Sequence, residues 1–299
     1  MLDISVVILT YNEELHIRRC IENVKNFASH IYVVDSFSTD KTVSIAESLG
    51  AKVIQNKWPG NQAMQFNWGL KNLPISTRWV LRLDADEYLT EELKQELSQK
   101  LPTVDASISG IVLPREQNCL GAWVHPLKLL RIFEFGKGEC EQRWMDEHIL
   151  LTSGETIEMT NKFLDHNLNS FGWWIDKHNG YSIREAIDLL DIELHLFDKA
   201  DKLQNIGKDA VAKREKKLKY AKSPLFLRSF LYFVYRYIFK GGFLKGKEVF
   251  VWDFFQGLWY RTLVDAKIFE IKKACGNDKT KILAFIKEKY GINAEIVND

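Results

Sequence analysis

Trp79-Val-Leu-Arg-Leu-Asp-Ala-Asp-Glu-Tyr-Leu89 is the stretch whose reading decides the fold. An apolar run ends abruptly in Asp84, Asp86 and Glu87. A strand from Trp79 to Leu83 would deliver Asp84 and Asp86 to the carboxyl edge of an open α/β sheet, where ligands sit. On an extended chain, residues two apart point the same way, so both carboxylates are expected to share one target. Hard oxygen ligands of this kind suit Mg²⁺ or Mn²⁺, which keep coordination sites for phosphate and water. By itself Asp-x-Asp is also the pattern of a solvated turn before a helix, so its meaning depends on what surrounds it.

On its N-terminal side, strand-like and helix-like patterns alternate. Ile4 to Leu9 is a continuous, β-branched-rich run ending in Thr10-Tyr11-Asn12-Glu13-Glu14, the pattern of a strand buried on both faces. Leu15, Ile17, Ile21 and Val24 then fit a helix. Ile31 to Val34 is a second strand, ending in Asp35-Ser36-Phe37-Ser38-Thr39-Asp40. Thr39 or Asp40 can cap the helix that follows. Ala51 to Ile54 is a third strand, and Gly60 to Leu73 a helix carrying Gln62, Gln65 and Asn67. The alternation predicts an α/β domain with a mostly parallel sheet and right-handed crossovers. Three strands thus end in polar residues on one edge. No Gly-x-Gly-x-x-Gly or Gly-x-x-x-x-Gly-Lys is present, so no glycine loop cradles phosphate. A divalent ion would have to clamp a nucleotide diphosphate instead.

Ser5-Val-Val-Ile-Leu-Thr-Tyr-Asn-Glu13, Val33-Val-Asp-Ser-Phe-Ser-Thr-Asp40 and Leu83-Asp-Ala-Asp-Glu87 resemble the three signatures of family-2 glycosyltransferases, in order and at similar spacing. The resemblance spans roughly residues 4 to 270 and is nearest the bacterial lipopolysaccharide-core glucosyltransferase subgroup. It implies a nucleotide-diphospho-sugar transferase fold, Rossmann-like, and an inverting reaction. It also implies roles: Thr10, Tyr11 and Glu13 line the nucleoside pocket, and Asp35 accepts a hydrogen bond from uracil. Asp84 lies near ribose and metal, Asp86 ligates the metal, and the helix on which many relatives carry a basic residue toward the diphosphate offers Gln62, Gln65 and Asn67 here, with Asn67 the candidate donor contact. Inverting transfer needs a base opposite the leaving nucleotide. The resemblance places it in Trp144-Met-Asp-Glu-His148, with Glu147 favoured, Asp146 next, and His148 as a group that orients the base or touches the diphosphate. His166 is a candidate to complete the metal shell, or else a structural histidine.

Between these clusters, Gly110 to Pro114 and Lys128 to Phe135 read as strands, joined by a loop from Arg115 to Pro126 that carries Trp123, a candidate for stacking on an acceptor sugar. Arg131 is a charge inside an apolar strand and needs a partner or a phosphate. The expected division is a catalytic domain over residues 1–175, with nucleotide-sugar and acceptor halves meeting near residue 100, and a helical C-terminal extension over 176–299.

That extension is unusual in composition. Residues 199–222 hold nine Lys or Arg against three acids, and residues 226–269 hold 15 of the chain's 37 aromatics. A basic segment beside an aromatic, amphipathic helix pair is the pattern of an interfacial membrane anchor; packing on the catalytic domain or a homo-oligomer interface would use the same residues. The run from Pro224 to Phe239, broken by Arg228 and Arg236, is too short to span a bilayer.

The remaining composition narrows the alternatives. A net charge of +1 over 299 residues gives no attraction to nucleic acid. Four scattered cysteines without a Cys-x-x-Cys pair suit a reduced, cytoplasmic chain. The start of the sequence lacks the basic and apolar pattern of a signal peptide. A Mg²⁺-dependent phosphatase would place a nucleophilic Asp after the first strand, where this chain has Thr-Tyr-Asn-Glu. A non-catalytic sugar-nucleotide-binding protein would have no need of acids at both clusters. The sequence therefore points to a UDP-sugar donor, probed with Mg²⁺ or Mn²⁺, and a lipid-linked or lipopolysaccharide acceptor at the inner-membrane surface, with another surface polysaccharide or a protein-linked glycan as the alternative acceptor.

Overall fold

The structure, a computed structural model, describes residues 1–141, 145, 147–197 and 217–292. It divides into two units, the first built of residues 1–118, 123–142 and 147–169, the second chiefly of residues from 170 onward.

The first unit is organised by β1 (Leu2–Thr10), flanked by β2 (Ala28–Asp35) and β4 (Trp79–Asp84), both parallel to it, with β3 (Lys52–Gln55) outside β2. Successive residues of β1 feed opposite faces. Ile4, Val6 and Ile8 pack with Ile17, Ile21 and Val24 of α1 (Ile17–Val24) and with Leu93 and Leu97 of α4 (Glu91–Lys100). Val7 packs with Ala63 and Phe66 of α3 (Gln62–Asn72). Because both faces are covered, the strand reads as an unbroken apolar run. The short α2 (Thr42–Ser48) is held from below its first turn by Asp40, whose Oδ1 accepts from the Thr42 backbone N–H at 2.9 Å.

The sheet is mixed rather than mostly parallel. Beyond β4 comes β7 (Ala122–Glu134), antiparallel to it, then β6 (Ile108–Cys119), β11 (Phe163–Asp165) and β5 (Glu87–Leu89), with β10 (Glu155–Glu158) pairing parallel to β6. β8 (Gly138–Cys140) and β9 (Ile149–Leu151) form a separate antiparallel pair. The expected loop from Arg115 to Pro126 is not there: β6 and β7 run on to a two-residue connection, Leu120-Gly121, with φ of 51° and 93°. Two consecutive positive φ angles match the twist of a tight hairpin, a turn that Leu120 disguised because only its neighbour is glycine.

The sheet is also curled. Only Ala85 and Asp86 join β4 to β5, a reach of about 10 Å. Four inter-strand steps separate the two in the sheet order, which in a flat sheet would be about 19 Å. The edge strand must bend round until it returns beside β4.

The second unit has its own core. Ile183, Ala186, Ile187 and Leu190 of α5 (Phe171–Leu194) pack with Val264, Ile268 and Ile271 of α8 (Tyr260–Cys275) and Ile282 and Ile286 of α9 (Lys279–Tyr290). Also in this unit are α6 (Leu227–Val234), continued by a π-helical turn over Tyr235–Phe239, and α7 (Lys247–Trp252), which runs through a π segment, Asp253–Trp259, into α8. Among the described residues no helix is long and apolar enough to cross a membrane.

Candidate functional site

Strand register puts the predicted residues of three strands on one edge. Thr10 is paired with Asp35 across β1 and β2, and Leu9 is paired with Asp84 across β1 and β4.

Asp35 is fully buried. Its Oδ1 accepts from the Thr10 hydroxyl at 2.9 Å and from the Ser38 hydroxyl at 2.5 Å. Its Oδ2 accepts from the Ser38 backbone N–H at 2.8 Å and from Gln55 Nε2 at 3.0 Å. Those four bonds fill the acceptor capacity of a carboxylate. A base N–H reaching Asp35 must therefore displace the Ser38 hydroxyl or the Gln55 amide. Tyr11 and Phe37, just beyond the two strand ends, are more than half exposed. Glu13 is turned toward its own helix: its Oε2 lies 2.6 Å from His16 Nδ1. His16 Nε2 accepts the Leu168 N–H at 2.8 Å, so Nδ1 carries the hydrogen given to Glu13.

The Asp-x-Asp stretch is not extended. β4 stops at Asp84, and Ala85 and Asp86 form a turn closed by Glu87, whose Oε2 accepts the Asp84 N–H at 2.9 Å. The expectation that the two side chains align by strand alternation fails for this reason. Asp84 is one-third exposed and lies between two buried arginines, Arg82 at 3.8 Å and Arg131 at 3.6 Å. Asp86 accepts from Asn167 Nδ2 at 2.9 Å. Its carbonyl receives the His166 N–H at 3.0 Å and Arg19 at 3.1 Å. That carbonyl is where the tip of the turn and the exit of β11 are tied together.

Beneath the edge lies a network of alternating charge. The partner that Arg131 requires is Glu87, 2.7 Å away and 1% exposed. Arg115 lies 3.3 Å from Asp165 and 3.9 Å from Glu87. Burial pushes the carboxyls of Glu87 and Asp165 upward, opposed by these arginines. Arg82 donates to Gln62 Oε1 at 3.1 Å and to Cys140 Sγ at 3.2 Å. Burial pushes the Cys140 thiol up to about 11, so at neutral pH it is an uncharged acceptor. Around Arg82, burial works against its charge, but the acids Asp84, Glu147 and Glu87 act on it and hold it.

Glu147 acts electrostatically on both Arg82 and Cys140. Asp146, the alternative base, and Trp144 lie outside the described residues.

Both ends of the Asn67 amide hold the backbone of Cys140, Nδ2 donating to the carbonyl at 2.7 Å and Oδ1 accepting the N–H at 2.8 Å. Asn67 thereby braces β8 against α3, with its second amide hydrogen and second lone pair outside these two bonds. Gln65 is buried, with its Nε2 3.0 Å from the Ser36 hydroxyl. A basic residue that the sequence reading passed over is Arg82, on β4. Its signal was available in the sequence: like Arg131, it is a charge inside an apolar strand.

His166 contacts the Trp123 ring edge-on at 5.9 Å between centroids. Burial, then Arg19 and His16, lower its pKa, which leaves an uncharged ring at neutral pH. Among the described residues no group of three or more His, Cys, Asp or Glu is arranged to hold a metal. The donors that do stand at the edge, Asp84 and Asp86, offer hard oxygens and fit a Mg²⁺-type ion that takes one or two carboxylates and fills its shell from phosphate and water.

The profile of glycosyl transferase family 2 matches residues 5–160, just over half the chain. The chain belongs to glycosyl transferase family 2. Within the family, an uncharacterized glycosyltransferase of Rickettsia bellii is 47% identical over 94 residues, which is 31% of each chain. The lipopolysaccharide core biosynthesis glycosyltransferase LpsC of Rhizobium meliloti is 32% identical over 149 residues, 46% of this chain and 53% of that protein. These curated relatives are therefore matched over a third to a half of their own length. Among solved structures, the mannosyltransferase PcManGT of Pyrobaculum calidifontis, in complex with GDP-Man and Mn²⁺, is similar over 89% of this chain and 87% of its own, with 14% identity and a TM-score of 0.51. At that identity the likeness is one of fold. This family 2 glycosyltransferase has the nucleotide-sugar transferase fold, with its mixed, curled sheet and a helical C-terminal part.

Proposed function

We propose that this glycosyltransferase is an inverting, metal-dependent enzyme that moves a hexose from a UDP-sugar to a lipid-linked glycan, with lipopolysaccharide core as the leading acceptor. What supports the reading is the gathering of three strand ends on one sheet edge, with Thr10 bonded to Asp35 and Asp84 set between Arg82 and Arg131. Asp86 with Asp84 would hold Mg²⁺ or Mn²⁺, and His166 is the candidate third ligand. When bound, the ion neutralises charge that builds on the departing diphosphate. Arg82 and Arg131 flank Asp84 and orient it. Thr10, Tyr11 and Asp35 form the nucleoside end, and Ser38 or Gln55 yields an oxygen of Asp35 to the base. Glu147 takes the proton of the acceptor hydroxyl as the new bond forms, with Asp146 as the alternative base. Trp123, 42% exposed, is the candidate for stacking on an acceptor sugar. The LpsC relationship supports the acceptor class. The reading places the reaction on the cytoplasmic face of the inner membrane.

A thermal-shift screen tests the donor, since stabilisation grows with ligand concentration over Kd. UDP-hexoses with Mn²⁺ should raise the midpoint by several degrees and GDP-sugars should not. Stabilisation by GDP-sugars alone would overturn the uridine assignment. Product release with crude lipid acceptor, lost in Glu147→Gln while donor binding persists, tests the base.

A further inference from the structure

Soluble helices put apolar residues inside and charge outside. Helix α6 does the reverse. Its two buried residues are Arg228 and Ser229, whereas Leu227, Phe230 and Leu231 are each more than half exposed. The π-helical turn continues the pattern: Tyr235, Ile238 and Phe239 face outward. Both arginines of the segment are drawn inward, Arg228 to Asp265 at 2.5 Å and Arg236 to Asp253 at 2.7 Å, and both acids are fully buried. The apolar stripe, at helical spacing from Leu227 to Phe239, runs into the turn that carries Phe243 and Leu244 and returns at Phe250. Tyr237 links these parts, with ring contacts to Phe243 and Phe250. The core of this unit, between α5, α8 and α9, is complete without any of these exposed side chains.

Charge at the tip of the stripe identifies what the face meets. The exposed charges from Lys240 to Phe250 are Lys240, Lys245 and Lys247 against the single acid Glu248. Aromatic and aliphatic side chains ringed by lysines complement an anionic lipid surface: apolar groups enter the acyl boundary while the cations meet headgroups. Pairing with a second copy about a two-fold axis through the tip of the stripe would bring the same three lysines against each other. We infer that the outward face from Phe226 to Phe250 docks on an anionic bilayer, lying in the interface rather than crossing it. This goes beyond the proposed reaction and does not depend on it.

Co-sedimentation of the full chain with lipid vesicles tests the inference without donor or acceptor. Vesicles of phosphatidylglycerol and phosphatidylethanolamine should pellet the protein, pure phosphatidylcholine vesicles should pellet far less, and added salt should release it. Phe239→Asp with Leu244→Asp, at positions 76% and 77% exposed, should weaken binding at least roughly tenfold while leaving the thermal midpoint unchanged. Each Lys→Glu change at Lys240, Lys245 or Lys247 should weaken binding to the anionic vesicles on the order of fivefold or more. Absence of pelleting with anionic vesicles overturns the inference, as does binding that both sets of variants leave intact. A concentration-dependent dimer that the paired Asp substitutions disperse, in a protein that ignores vesicles, would assign the face to a second copy instead.

Discussion

Arg82 in β4 and Arg228 in α6 are both arginines inside apolar segments, both paired with an aspartate, and they end in opposite situations. Arg228 and Asp265 are closed off, with side chains 2% and 0% exposed. Arg228 also donates to the carbonyls of Tyr220 and Ala221, and Asp265 takes the Phe226 N–H, so every charge is absorbed by the fold. Arg82 is as deeply buried, yet its partner Asp84 is 33% exposed at 3.8 Å, a distance too long for a hydrogen bond. One pair is sealed; the other presents an oriented carboxylate to whatever binds at the sheet edge. A buried ion pair in the first situation supports structure, and in the second it supports chemistry.

The sharpest way to break that contrast is to remove each acid in turn. Asp265→Ala strands a buried guanidinium and should destabilise the second unit by about 3–5 kcal/mol, read as a lowered urea midpoint. Asp84→Asn should cost no more than about 1 kcal/mol of stability, because Arg82 and Arg131 retain Gln62, Cys140 and Glu87 as partners. Its transfer rate should nevertheless fall on the order of a hundredfold or more, the loss of a few kcal/mol of charge stabilisation. If Asp84→Asn unfolds the protein, or Asp265→Ala leaves the urea midpoint where it was, the distinction is wrong.

A third test uses pH. His178 is stacked on Trp174 at 3.6 Å between ring centroids. Burial, with a smaller push from Lys177, lowers its pKa from an ordinary value near 6.5 to about 4. Between those values the unfolded chain binds the proton and the folded chain does not, so stability rises with pH across that window. The contribution is fully present above about pH 6.5 and is lost as pH falls through 4; in size it is on the order of 3 kcal/mol. His178→Phe, which keeps a ring against Trp174, should flatten the slope of the urea midpoint between pH 7 and 4. The smallest effect concerns Asn67. Asn67→Ala should lower stability by about 1–2 kcal/mol by orphaning the Cys140 backbone, with little change in donor affinity by calorimetry. A large loss of donor affinity at unchanged stability would return Asn67 to the binding site.

Arg131 and Arg82 show how far the sequence could be read. A charge in an apolar strand must find a partner, and that requirement is visible in one dimension. Which partner it finds is not: Glu87 reaches Arg131 only because the sheet curls, and curling follows from pairing between segments more than forty residues apart. Asn67 makes the same point. Its position on α3 suggests a contact with the donor, and only the fold shows that β8, more than seventy residues later in the chain, also bonds both ends of its amide.

What the sequence by itself determined was the alternation of strand and helix through Leu89 and the polar residues closing each strand, because apolar periodicity and capping are local properties. It also marked the aromatic excess after Phe226, since composition needs no partner to be seen. Only the tertiary structure decided that Asp84 and Asp86 part at a turn, that the sheet is mixed and curled, and that α6 wears its apolar side outward. Each depends on which distant group satisfies a buried charge or backbone N–H, and burial is defined only once the whole chain has packed.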